Sequence, residues 1–117
     1  MKQFKIIQAY REMEKLADNA NLSDNDQWNL YKLRQFLRPH VEFQEEREKT
    51  IKEKYKDHTD ENGNLKSEFV KDYVTDITSI NEMEVELDDF VKPVIPNKGI
   101  NFMLMETLED FIEFVQS

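Results

Sequence analysis

The sequence has no cysteine, two glycines and three prolines in 117 residues. Without cysteine there is no disulfide framework, no thiol nucleophile and no thiolate zinc site, which fits a reducing compartment and makes the cytoplasm the expected location. Scarcity of glycine and proline, which helix interiors exclude, points to long helices. Long apolar runs are missing too. The opening "MKQFKIIQAYREMEKL" carries a charge every few residues, unlike a signal peptide or a membrane span, so a soluble chain with no membrane partner is expected. The two histidines, His40 and His58, are too few for a His-based zinc site, and no HExxH, Gly-rich phosphate loop, Ser-His-Asp order or nucleophile elbow occurs. No catalytic, cofactor-binding or metal-ligating residue is therefore assigned, and the chain is read as a non-enzyme.

What the sequence does have is charge. Asp, Glu, Lys and Arg make up 35% of it against 38% hydrophobic residues, a balance that suits solvated helices around one core and a single domain over 1–117. The net charge of −9 is unevenly spread. Residues 1–56 hold twelve Lys/Arg against ten Asp/Glu, and residues 57–117 hold four against fifteen, so the C-terminal half carries −11. That half is unsuited to binding phosphates directly, because such binding depends on Lys and Arg neutralising the backbone. It is suited to the opposite role, imitating a nucleic acid before a basic protein.

Apolar spacing predicts a first helix over Lys5 to Ala20, with Ile6, Ala9, Tyr10, Met13, Leu16, Ala17 and Ala20 inward. Ser23 or Asn25 caps a long second helix running to about Lys56, whose stripe comprises Leu30, Leu33, Phe36, Leu37, Val41, Phe43, Ile51 and Tyr55. Pro39 lies in its middle, so a bend, or two helices meeting, is expected there. After the "DENGN" turn, Ser67 reads as the cap of a third helix, Glu68 to Asn81, with Phe69, Val70, Tyr73, Ile77 and Ile80 inward. "EMEVELD" then alternates strictly, with Met83, Val85 and Leu87 on one face and Glu82, Glu84, Glu86 and Asp88 on the other. Asp88 and Asp89 turn it into a second strand, "FVKPVI". The closing "NFMLMETLEDFIEFV" reads as one or two short helices with Leu104, Leu108, Phe111, Ile112 and Val115 inward. The expected fold is mainly α: a compact helical domain with a long central helix and a small antiparallel hairpin.

Several features invite a site. "KDHTDENGNLKSEF" resembles a calcium loop, but with Gly63 at the sixth position the first ligand would be His58 and the twelfth Phe69, so a Gly-centred turn is the better reading, with Gly63 or Asn62 at positive φ. His58 then belongs to the loop surface. His40, Gln44 and Arg47 fall on the stripe of the long helix and form either a polar pocket or a packed seam in which Arg47 pairs with a carboxylate of the acidic half. Trp28 and Tyr31 lie off that stripe, as do Phe102, Met103 and Phe114 off the last one, and exposed aromatic and Met side chains mark partner surfaces. Lys32, Arg34 and Arg38 form a solvated face or a contact for an acidic partner.

The stretches "LYKLRQFL", "EFQEEREKTIKEKY", "DENGN", "NEMEVEL" and "METLEDFIEF" resemble an uncharacterised family of small proteins encoded by phages and prophages of Gram-positive bacteria, through positions such as Tyr31, Leu33, Phe43, Glu46, Arg47, Ile51, Tyr55, Gly63, Glu82, Val85 and Leu87. The resemblance implies a phage product acting inside a bacterial host cell and brings no catalytic residues. The expected function is non-catalytic binding of a host or phage protein; the sequence leaves the oligomeric state open. One class of partner is a host nucleic-acid-handling defence system of the restriction or CRISPR type, engaged by Glu82, Glu84, Glu86, Asp88 and Asp89. The alternative is a structural or assembly role, docking through Trp28, Tyr31, Phe102 and Met103.

Overall fold

The computed structural model describes residues 1–18 and 22–116. Among them the elements run α1 (Gln3–Ala17), α2 (Asp24–Tyr55), α3 (Ser67–Asn81), β1 (Val94–Pro96), α4 (Phe102–Leu108) and β2 (Glu113–Val115). The chain is mainly α with one small sheet, as its composition implies. Ala20, expected on the inner face of the first helix, lies outside the described residues, and Ala17, the last residue of α1, is exposed.

Ser23 starts α2. Its backbone is extended and its Oγ accepts a hydrogen bond from the Asp26 N–H at 3.1 Å, while Asp24 and Asp26 put negative charge at the positive end of the helix. The helix then continues for 32 residues, a length of roughly 48 Å at 1.5 Å per residue. Pro39 does not divide it into two helices. That residue is exposed, on the side away from the core, so the hydrogen bond it cannot make is lost where water can replace it.

The inner stripe of α2 is covered in two parts. Leu30, Leu33 and Leu37 join Ile6, Ala9, Met13 and Leu16 of α1, together with Ile95, Leu108, Phe111 and Ile112, in the main cluster. Ile51 and Tyr55 join Ile80 of α3 in a second, smaller cluster, onto which Leu65, Phe69, Tyr73 and Ile77 pack. The molecule is correspondingly long, 54 × 30 × 20 Å, with a radius of gyration of 17.8 Å where a compact chain of this size would have roughly 13 Å. The compact single core expected from length is thus replaced by two clusters strung along one helix. Two expected core residues are displaced with it. Phe43 stands about 100° round the helix from buried Gln44 and is 45% exposed, and Val70 of α3 is 44% exposed.

The two strands do not form an antiparallel hairpin. β1 pairs with β2 in parallel, in register Val94↔Glu113, Ile95↔Phe114 and Pro96↔Val115, and the partner strand comes from the end expected to be helical. "LEDFIEFV" satisfies a helical spacing and, from Ile112 onward, a period of two. Pairing with β1 decides between them: Phe114 turns onto the core while Val115 faces out. "EMEVELD" forms no strand. It makes one antiparallel bridge, Lys2↔Glu84, with Gln3 N–H donating to the Met83 carbonyl at 2.9 Å and Val85 N–H to that of Met1 at 2.8 Å. Its burial still alternates, Val85 and Leu87 packing on the main cluster, but Met83 is exposed.

Between α2 and α3 the turn is built as the sequence suggests. Gly63 has φ +79° and donates to the Asp60 carbonyl, while Asp60 Oδ1 accepts from the N–H groups of Asn62 at 2.9 Å and Asn64 at 3.0 Å. Ser67 is already helical; Lys66 is the capping position, with no side-chain bond. His58 is half-buried rather than on the loop surface, its ring stacked on Phe69 at 4.0 Å between centroids.

Because Pro39 sits exposed in an unbroken helix, Pro39→Ala is expected to stabilise the protein, by up to about 3 kcal/mol, through the restored N–H and the relief of the ring clash. Urea unfolding measures this. A lower midpoint would mean that the proline sets a curvature the core requires.

Candidate functional site

Of the five acidic residues expected to bind a partner, Glu82 and Glu84 are engaged by the first residues of the chain. Lys2 Nζ lies 3.2 Å from Glu82 Oε2 and 3.5 Å from Glu84 Oε1, and the Met1 amino group lies 3.2 Å from Glu84 Oε2. The Met1 amino group, and after it Lys2, hold the Glu84 carboxyl below its ordinary value. Two of the five charges are therefore partly neutralised by the first residues of the chain. Glu86, Asp88 and Asp89 are exposed, and no ion pair engages them among the described residues. Val85, Leu87 and Phe90, alternating with these carboxylates, hold the segment on the main cluster.

The apolar candidates are placed on the outside. Trp28 and Tyr31 are 56% and 52% exposed and stack on each other with centroids 5.5 Å apart, on the face of α2 opposite its buried stripe. Phe102 and Met103, at the start of α4, are each 64% exposed. Phe114 does not join them, since it packs against the main cluster.

His40, Gln44 and Arg47 do not assemble into one site. Gln44 alone is buried: its Nε2 donates to Glu48 Oε1 and to Asn81 Oδ1, each at 3.0 Å. The His40 carbonyl accepts from Gln3 Nε2 at 2.8 Å, so a buried amide from α1 and another from α2 mark the junction between the two clusters. Arg47 is exposed and makes no close ion pair among the described residues, but, after the Tyr55 hydroxyl and Lys54, its charge helps to hold the Asp76 carboxyl low, so the expected carboxylate of the acidic half acts on it at longer range. Arg34, expected on a solvated face or at a contact for an acidic partner, lies over the Tyr10 ring at 4.2 Å and bonds Glu14 at 3.3 Å.

One polar arrangement was not legible in the sequence. Tyr55 Oη donates to Asp76 Oδ2 at 2.7 Å, and Lys54 Nζ meets the same oxygen at 3.0 Å. The Tyr55 hydroxyl first, then Lys54, hold the Asp76 carboxyl below its ordinary value, and the same hydrogen bond raises the Tyr55 phenol. These residues are 21 positions apart, and only the antiparallel packing of α3 on α2 brings them together. The group closes the edge of the second cluster.

No protein-family model matches the sequence, and comparison with curated proteins and with solved structures finds no similar chain. No helix among the described residues is long and apolar enough to cross a membrane.

The Tyr55–Asp76–Lys54 group gives a pH dependence with a definite sign. Asp76, lowered in the folded state, contributes stability above its ordinary 3.8 that is lost as pH falls below it. Tyr55, raised, contributes stability below its ordinary 10.0 that is lost as pH climbs past it. Urea midpoints on both flanks are expected to fall, and Asp76→Asn to flatten both slopes. Identical slopes in the variant would assign the dependence to other groups. Arg47→Met is expected to leave the midpoint within about 0.5 kcal/mol, as for an exposed side chain outside any close ion pair.

Proposed function

We propose that this protein is a non-catalytic, phage-encoded binding module that inhibits a host nucleic-acid-handling defence system by offering it an acidic surface in place of nucleic acid. One observation carries the reading. Of the carboxylates in the C-terminal half, only Asp76, Glu82 and Glu84 form ion pairs among the described residues, and the others stand in water. The bacterial cytoplasm is the compartment this implies.

Magnitude narrows the imitation. A duplex as long as this molecule, 54 Å, carries about 32 phosphates at one charge per ~1.7 Å, far more than a net −9. The protein therefore competes for a local basic patch rather than filling a whole groove. Glu86, Asp88 and Asp89 suit such a patch, because their backbone is held on the core by alternate apolar side chains, which lowers the ordering cost of binding compared with a free acidic tail.

The stacked Trp28–Tyr31 pair favours a second reading, a structural or assembly accessory that docks through apolar contacts. Aromatic anchors of this kind dominate interface energetics, and their contribution is insensitive to salt.

The test expresses the chain in bacteria with and without a restriction or CRISPR system and measures phage plating. Inhibition restores plating only in the defended strain. The triple change Glu86→Gln, Asp88→Asn, Asp89→Asn, with circular dichroism confirming the fold, is expected to abolish that rescue, and binding to the captured effector is expected to weaken steeply as salt rises. Rescue that survives the triple change but is lost in Trp28→Ala would overturn mimicry in favour of apolar docking.

A further inference from the structure

Among the described residues β1 has a neighbouring strand on one side only. Glu113 N–H donates to the Pro93 carbonyl and Asn97 N–H to that of Val115, each at 2.8–2.9 Å, so in the parallel register residues 93, 95 and 97 turn their polar groups toward β2. Val94 and Pro96 turn theirs away. Pro96 has no N–H, which leaves the Val94 N–H and the Val94 and Pro96 carbonyls along the open edge, and Val94 itself is 49% exposed. Open edges of this kind pair with extended chains.

A cleft of about 530 Å³ runs between Val94 and the first half of α2. Its floor is apolar, formed by Leu33 and by the Phe36 and Phe90 rings, whose centroids are 5.2 Å apart. Lys32 and Lys92 line it with the single carboxylate of Asp26, so two lysines face one acid here although the molecule as a whole is acidic. No ion pair engages either lysine among the described residues; Lys92 Nζ donates to the Glu109 carbonyl at 3.2 Å.

We propose that this cleft receives an extended segment of a partner protein, added as a strand to the open edge of β1, with apolar side chains on the Leu33–Phe36–Phe90 floor and a carboxylate between Lys32 and Lys92. Backbone bonds to Val94 supply the pairing, and alternate side chains supply the selectivity. The two prolines, Pro93 and Pro96, confine the contact to a short stretch, so recognition is local and of modest affinity. This surface is distinct from the Glu86–Asp89 carboxylates, and its test does not depend on the mimicry reading.

The probe is an acetylated, amidated pentapeptide, Glu-Val-Asp-Ile-Glu, titrated into the intact ¹⁵N-labelled protein. Saturable movement of the Val94 amide resonance, with slower hydrogen exchange at that amide, is expected. Replacing the peptide's acids by lysines, or N-methylating its central residue, is expected to weaken binding about tenfold, the equivalent of one hydrogen bond. Lys32→Ala is expected to weaken it severalfold while leaving the spectrum of the free protein otherwise unchanged. Binding that ignores N-methylation, a basic peptide that binds as well as the acidic one, or no movement of Val94 at millimolar peptide would each overturn the proposal. Sedimentation showing that a second copy of the chain fills the cleft would do so too.

Discussion

Everything in this fold answers to the buried stripe of α2. The helix is roughly 48 Å long, whereas α1 and α3, at 15 residues each, span about 22 Å. Neither can cover the stripe alone. α1 takes the first half, α3 the second, and they meet where α1 begins at Gln3 and α3 ends at Asn81. Helix ends carry unpaired backbone groups and are poor neighbours for an apolar core. The junction is accordingly polar: Gln3 reaches the His40 carbonyl, and Gln44 links α2 to Asn81.

That division makes the two ends of the molecule unequal. The main cluster draws on α1, α2, β1, α4 and the residues before β2, so its burial is shared among distant parts of the chain. The second cluster has three buried residues and depends on one helical hairpin. Its aromatic rings make up part of the difference. Tyr55 is edge-on to Tyr73 at 5.6 Å, and its hydroxyl is fixed by Asp76. Polar bonding at the rim therefore matters more to α3 than to α1, whose inner face is apolar throughout apart from Gln3.

Helix identity was legible because the 3.6-residue spacing in α1, α2 and α3 persists over many turns and because Ser23 is a strong cap. The turn at Gly63 was legible for a similar reason, since only glycine adopts φ +79° without strain and Asp60 is spaced to bond the amides that follow. What failed depended on partners remote in sequence. "EMEVELD" has a strand's alternation, yet its neighbour is the first residues of the chain, which pair with it at one bridge. "DFIEFV" could be helix or strand until β1 lay beside it. Arg47 seemed to share the stripe of Gln44, but at the second cluster that stripe is narrow, so its flanks reach water. Exposure of Trp28, Tyr31, Phe102 and Met103 followed from spacing, because a residue opposite a buried face has nothing left to pack against.

The segment from Glu82 to Pro96 gathers these constraints into one surface. It has no ladder of its own until β1, so its position is set by Lys2 at one end, by Val85, Leu87 and Phe90 along its length, and by β2 at the other. Its charge changes sign within that span, from Asp88 and Asp89 to Lys92. Residues three apart in an extended chain are separated by about 10 Å, beyond the Debye length of roughly 8 Å at physiological salt. Each end of the segment therefore presents its own local field, and the net charge of −9 does not dictate what the lysine end can bind. A carboxylate surface and a lysine-rimmed cleft can coexist on one short stretch because the core fixes the backbone between them.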